Sequence, residues 1–226
     1  MRTHQVVLNW IESQLAAGDL KLGDRLPPER TLAEKLAVSR TSVREAIRIL
    51  EVMGVVRVGV GSGPDAGTVA IADPGMALGL ALRLHVATSH LPVGDIVRTR
   101  VLLESWAALE ARPDSPALDE AAALLDRMDE TSAVAQFLEL DVRFHLALAE
   151  AAGNVVISAI LGSLREAIKD YGSRLTGNLP DWEATVQRLR AEHRAILAAI
   201  KNDDGSLASQ LVTAHVEGFY TEAGVA

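Results

Sequence analysis

Cysteine is absent from all 226 residues, which excludes disulfides, thiolate metal sites, iron–sulfur clusters and cysteine nucleophiles, and makes a reducing compartment comfortable. No apolar run reaches the length of a membrane span. His4, Asn9 and Glu12 stand where a secretory signal would need an unbroken apolar core, so we expect a cytoplasmic protein with no membrane partner. HExxH and G-x-S-x-G motifs are missing too. Aromatics supply only 4% of residues, while Ala, Leu, Glu and Arg dominate, a composition that leans to helix. Pro and Gly crowd between about residues 54 and 94, where we expect helices to be interrupted.

The net charge of −8 argues against nucleic acid until it is divided along the chain. Residues 1–60 hold nine Lys/Arg against seven Asp/Glu, and the remainder hold 13 against 23. Only the first segment is suited to meet phosphate.

In that segment Val6, Val7, Trp10, Ile11 and Leu15 recur at helical spacing over 5–17, and Gly18-Asp19 ends the helix. A second helix should begin at Pro28, favoured in a first turn, and bury Leu32, Ala33 and Leu36. A third should start at Ser39, a good N-cap, and bury Val43, Ala46, Ile47 and Leu50. Arg40, Arg44 and Arg48 share its other face. By itself such a triplet is equally a solvated face. Strand patterns follow over 55–58 and 68–71, separated by a Gly-rich loop. Three helices and a β-hairpin make a winged helix-turn-helix, whose third helix enters the major groove of duplex DNA.

The run "GDRLPPERTLAEKLAVSRTSVREAIRILEVMGVV" closely resembles the DNA-binding signature of the GntR family of transcriptional regulators. The resemblance implies operator contacts by Arg30, Arg40 and Arg44. Thr41 and Ser42 lie in the same turn and are expected to bond phosphate oxygens, which fix register without reading sequence. The wing loop "GVGSGPDAG" departs from the family, in which a basic or His residue often occupies the tip near Val60. It carries no basic residue, and only backbone N–H groups such as that of Gly61 are on offer. Gly61, Gly63 and Ala66 nominally fit a dinucleotide fingerprint, but no helix opens behind them and Pro64 favours a turn.

A boundary is expected at Asp73-Pro74-Gly75, giving a winged helix-turn-helix over 1–73 and an all-α domain over 76–226. Six or seven helices are expected there, with joints at Leu91-Pro92, Arg112-Pro113, Gly153-Asn154, Gly177 to Pro180 and Asn202 to Gly205. The fold class is therefore mainly α, a helical bundle behind a winged head.

Within this bundle Asp141 and His145 sit one turn apart among Phe137, Leu140, Phe144, Leu148 and Ala151. His193 lies inside the stripe Val186, Leu189, Ile196, Leu197 and Ile200, and Leu207, Leu211, Val212 and Phe219 enclose His215. One histidine on an apolar face is more often a hydrogen-bonded core residue than a ligand. Three of six, with an aspartate at i, i+4, point to a divalent-metal site built between helices. Zinc, nickel and manganese all suit such donors.

"DVRFH", "EHRAI" and the late "AHV" resemble the three metal-ligand motifs of the FCD domain, the sensor of the FadR-type GntR regulators. The likeness spans about residues 76–220. It implies that Asp141, His145, His193 and His215 hold the ion and leave positions for water or a carboxylate. It also implies that Arg100, in "RTRVLLE", faces the cavity and pairs with an anionic effector; an Arg100–Glu104 ion pair is the plainer alternative. Asn154 falls near the cavity or simply forms a Gly-Asn turn. The expected function is a homodimeric regulator that binds an inverted-repeat operator and answers to a small carboxylate at the metal site. A metal-free ligand-responsive regulator and a metalloenzyme with a DNA-binding appendage are the alternatives.

Overall fold

The structure is a computed structural model that describes residues 3–59, 61, 67–88, 90–131 and 133–224, with the backbone alone for 169–174 and 178. It divides into two compact units, 1–78 and 79–226. We propose 1–73 and 76–226 as the functional limits.

The first unit runs α1 (Thr3–Ala17), α2 (Glu29–Leu36), α3 (Arg40–Val52), β1 (Val56–Gly59) and β2 (Gly67–Ala70). Val7 and Ile11 of α1 meet Leu32 and Ala33 of α2 and Val43, Ala46, Ile47 and Leu50 of α3 in one buried core. Gly18 turns the chain out of α1 at φ +76°. The strands pair antiparallel with Val56 opposite Ala70 and Gly59 opposite Gly67. The segment between α1 and α2 adds a further edge to β2, since Leu26 N–H donates to Thr68 O at 2.8 Å and Ala70 N–H to Asp24 O at 2.9 Å. That pairing has no periodic signal, because three residues flanked by Gly23 and Pro27 cannot show alternation. Between the two strands only Gly61 lies among the described residues, at φ +111°; the tip at Val60 and the Gly63 and Ala66 of the nominal fingerprint lie outside them.

Between α2 and α3 the chain turns on Ala37, a non-glycine residue at φ 52°, ψ 42°. The left-handed region strains any residue with a Cβ by about 1–2 kcal/mol. Ala37→Gly should therefore stabilise the first unit by about 0.5–1 kcal/mol after glycine's larger unfolded-state entropy is deducted. A denaturant midpoint that is unchanged or lowered in the variant would show that the turn is unstrained.

Beyond β2 every element is helical among the described residues: α4 (Pro74–Ala87), which runs across the boundary at 78, then α5 (Val93–Glu110), α6 (Ala117–Glu130), α7 (Val134–Ala151), α8 (Val155–Leu175), a short 3₁₀ turn (Thr176–Asn178), α9 (Trp182–Lys201) and α10 (Gly205–Glu222). The breaks fall at the expected joints, and α6 ends at Glu130 ahead of α7 at Val134. Asp181 and Asp204 cap α9 and α10 by accepting from the N–H groups of Ala184 and Leu207. α5 packs on α7, α8 and α10, and α9 on α6 and α10. Gly205 permits one of these contacts, because a Cβ there would lie 2.3 Å from the carbonyl oxygen of Leu109 on α5. The apolar stripes of α7 and α9 are buried as expected. That of α10 is rotated: Leu207 is 44% exposed, and Ala208, Val212, Val216 and Tyr220 flank His215 instead. Among the described residues no helix is long and apolar enough to cross a membrane.

Candidate metal centre and DNA-binding surface

Four side chains from three helices converge. Asp141 and His145 project from α7, His193 from α9 and His215 from α10, and one donor atom of each lies within 4.8 Å of all the others. His215 Nε2 is 3.2 Å from His145 Nε2 and 3.1 Å from His193 Nε2. Asp141 Oδ1 is 3.1 Å from His193 Nε2 and 3.6 Å from His145 Nε2. Donors bound at about 2.0–2.2 Å to one ion are separated from their neighbours by about 3.0–3.4 Å, so the spacing fits a single small cation.

The hydrogen bonds behind these donors strengthen that fit. His145 Nδ1 lies 2.8 Å from Glu104 Oε2, and His215 Nδ1 lies 2.8 Å from Glu192 Oε2. Arg100, Arg165 and His145 hold Glu104 well below the usual carboxylate range against the opposing effect of burial; Glu192 is lowered too, since bonds from His215 and Arg188 outweigh its burial. An ionised carboxylate only accepts, so each Nδ1 donates and each Nε2 turns a bare lone pair toward the others. Burial, with the neighbouring His215, lowers the His193 pKa; burial likewise lowers that of His215. A second proton on His193 or His215 is thereby disfavoured, and a cation is the group that satisfies the bare lone pairs of His145 and His215. His193 is fully buried, stacked near Phe137 and Phe144, and its Nδ1 has no partner. Asp141 retains 19% side-chain exposure. Burial would raise its pKa, but His145, His193 and Arg165 hold it well below the usual range.

A cavity of about 440 Å³ opens beside the cluster, and Asp141, His145 and His215 are in its wall. Arg100 is in the wall too, and it also makes the ion pair posed as its plainer role. Its Nε donates to Glu104 Oε1 at 2.9 Å and one terminal nitrogen to the Tyr220 hydroxyl at 2.7 Å. Burial would lower the Arg100 pKa, but Glu104, Tyr220 and Asp141 hold it above its ordinary value. Arg165 bridges Glu104 Oε2 at 2.8 Å and Asp141 Oδ2 at 3.2 Å. Asn154 is not among the lining residues. Its side chain accepts from the N–H groups of Val156 and Ile157 and so caps α8, which corrects its expected place near the cavity.

Sequence reasoning passed over Arg165, Glu192 and Tyr220 and took Glu104 only as an ion-pair partner. The signal existed for Arg165, a charged residue within the stripe Leu161, Leu164 and Ile168. Tyr220 continues the stripe of Val212 and Val216. Glu192 carried none: it precedes His193 in the chain but serves His215 on another helix.

In the first unit Arg30, Arg40, Thr41 and Arg44 are exposed on α2 and the start of α3. Arg44 reaches back to α2, with Nε 3.3 Å from Glu29 Oε1 and a terminal nitrogen 3.0 Å from Oε2, a two-pronged contact that orients its guanidinium. Ser42 does not join this surface. It is 7% exposed, its hydroxyl is within 2.9 Å of Ser39 Oγ and 2.8 Å of Thr3 Oγ1, and its N–H donates to Ser39. The N-cap turns it inward, contrary to the expected phosphate contact.

Comparison with known proteins matches residues 3–64 to the family described as "Bacterial regulatory proteins, gntR family" and residues 95–218 to the "FCD domain". The Uxu operon transcriptional regulator of Escherichia coli (strain K12) is 31% identical over 223 residues, covering 96% of this chain and 84% of that protein. The HTH-type transcriptional regulator LutR of Bacillus subtilis (strain 168) is 31% identical over 210 residues, covering 88% and 91%. The solved structure of a Streptococcus agalactiae GntR protein superposes with a TM-score of 0.66 at 25% identity, covering 96% of this chain and 98% of that one. These relatives are regulators rather than enzymes, and they share both parts of the chain. It belongs to the GntR family of bacterial transcription regulators, with a DNA-binding winged helix-turn-helix followed by a helical FCD domain.

Proposed function

We propose that this regulator acts as a cytoplasmic homodimer on an inverted-repeat operator, under the control of a small carboxylate that reaches a divalent ion held by Asp141, His145, His193 and His215. The observation that carries the reading is the convergence of three imidazole Nε2 atoms whose two anchored Nδ1 atoms donate to ionised carboxylates. When bound, the ion supplies a Lewis-acid docking point for carboxylate oxygens. The chain's own residues do the rest. Arg165 holds Asp141 Oδ2 and turns Oδ1 toward the imidazoles. Arg100 has one terminal nitrogen beyond its bonds to Glu104 and Tyr220, and Tyr220, accepting from Arg100, keeps its own proton to donate. Zinc, nickel and manganese remain the candidate ions.

On the DNA side Arg30, Arg40 and Arg44 are the proposed operator contacts, with Thr41 on phosphate and the Gly61 N–H at the wing. Arg44→Ala should weaken operator binding roughly 5- to 150-fold while leaving metal content unchanged. Fluorescence anisotropy with a labelled operator, paired with elemental analysis, checks both; equal affinity in variant and parent would remove Arg44 from the interface. About one tightly held divalent ion per chain in protein purified without chelator is the expected result for the metal centre. Its absence, with a carboxylate response indifferent to chelator, would favour the metal-free regulator.

A further inference from the structure

Resting on that reading, we propose that the controlling ligand is a small carboxylate bearing an apolar group, such as an aliphatic 2-hydroxy acid, and not a polyhydroxylated sugar acid. The distribution of hydrogen-bonding capacity around the cavity carries this. The polar groups in its wall are largely committed to one another: Glu104 takes Arg100, Arg165 and His145, and Asp141 takes Arg165 and His193. What remains is a terminal nitrogen of Arg100, the Tyr220 proton and the open positions of the ion. That suffices for a carboxylate and one adjacent oxygen.

The buried and half-buried part of the remaining wall, which includes Phe137, Leu146, Ile168, Leu189, Val216 and Phe219, offers no side-chain donor or acceptor among the described residues. Glu139, Arg143 and Glu166 also line the cavity, but all three are exposed to water, and Arg143 and Glu166 are already paired with Glu120 and Arg83. Hydroxyls entering an apolar wall lose water without finding a partner, whereas each methylene gains by leaving it. The cavity, at about 440 Å³, is within the size range of small-molecule sites and has room for such a tail.

Calorimetric titration of the full-length, metal-loaded protein with 2-hydroxypropanoate, 2-hydroxybutanoate, 2-hydroxyhexanoate and gluconate tests the assignment. Affinity should rise about fourfold per added methylene, and gluconate should bind at least tenfold more weakly than 2-hydroxyhexanoate. Val142→Thr, an isosteric change at another residue of the wall, should weaken 2-hydroxyhexanoate more than 2-hydroxypropanoate. Gluconate binding as tightly as 2-hydroxyhexanoate, in a metal-dependent way, would overturn the apolar-tail assignment and leave the metal-site reading intact. Undiminished binding of the aliphatic series to stripped protein would overturn the metal reading and keep the ligand class. Binding of no carboxylate by loaded protein would sink both.

Discussion

Stripping the ion should lower the melting temperature of the protein by roughly 8–16 °C, and adding back one equivalent should restore it. An ion that binds only the folded state contributes about 4 kcal/mol when present at a thousand times its dissociation constant. For chains of this length each kcal/mol moves the midpoint by about 2–4 °C. The stripped protein is not merely the loaded one without a bond, because the bare Nε2 lone pairs of His145 and His215 then face each other at 3.2 Å. Acid should therefore act on it directly. Burial lowers the pKa of His193 and of His215 below the ordinary 6.5. As pH falls below 6.5 the unfolded chain takes up protons that the folded chain refuses, so stability rises with pH across that window and falls on acidification. Protons also compete with the ion for the same nitrogens, so the loaded protein should lose its advantage over the same range. Differential scanning fluorimetry of both forms between pH 5 and 8 would show it. Equal melting points for stripped and loaded protein would return the four residues to plain core packing.

The fold was legible where a periodicity ran long. α7 and α9, at 18 and 20 residues, announce themselves by stripes that are buried as read. So does α3, whose Ser39 cap and four core residues stand where the pattern put them. Short features were less legible. The edge pairing of Leu26 with Thr68 depends on a tertiary approach that no local pattern encodes. On α10, Leu207 reads as core by spacing, yet it lies within the first turn beside the Asp204 cap, where the helix end meets solvent. The four ligand candidates were visible because each is a polar residue misplaced in an apolar stripe. Their carboxylate partners were not: Glu104 reaches His145 from α5, and Glu192 reaches His215 across α9 and α10. Such pairings follow from helix packing rather than from spacing along one helix. Ser42 and Asn154 misled for the opposite reason: Asn154 is spent locally in capping α8, and the Ser42 hydroxyl is turned inward onto Ser39 and Thr3.

Glu104→Gln should destabilise the second unit by about 3–5 kcal/mol, the range for removing one partner of a buried ion pair. Glu104 is 4% exposed and receives three donors: Arg100 Nε on Oε1, and Arg165 and His145 Nδ1 on Oε2. Glutamine matches its shape but has one acceptor oxygen. Turned toward Arg165 and His145, that oxygen leaves an amide NH₂ facing Arg100; turned toward Arg100, it leaves the NH₂ facing the other two. Either way two buried guanidiniums lose their shared counter-charge. Metal affinity should fall about 10- to 100-fold as well, because His145 then has at best a neutral amide oxygen, and in one rotamer no acceptor, to fix its ring. Two further variants separate these effects. Glu192→Gln replaces the equivalent carboxylate behind His215 with a neutral amide at a half-exposed position; it should lower metal affinity in the same direction while leaving the stripped protein far closer to wild-type stability. Glu104→Gln combined with Arg165→Met removes one stranded charge, and should recover stability by about 0.5–3 kcal/mol relative to the sum of the single effects. Strict additivity in urea unfolding of the stripped proteins would mean that Glu104 acts through hydrogen-bond geometry alone, and that Arg165 tolerates burial without it.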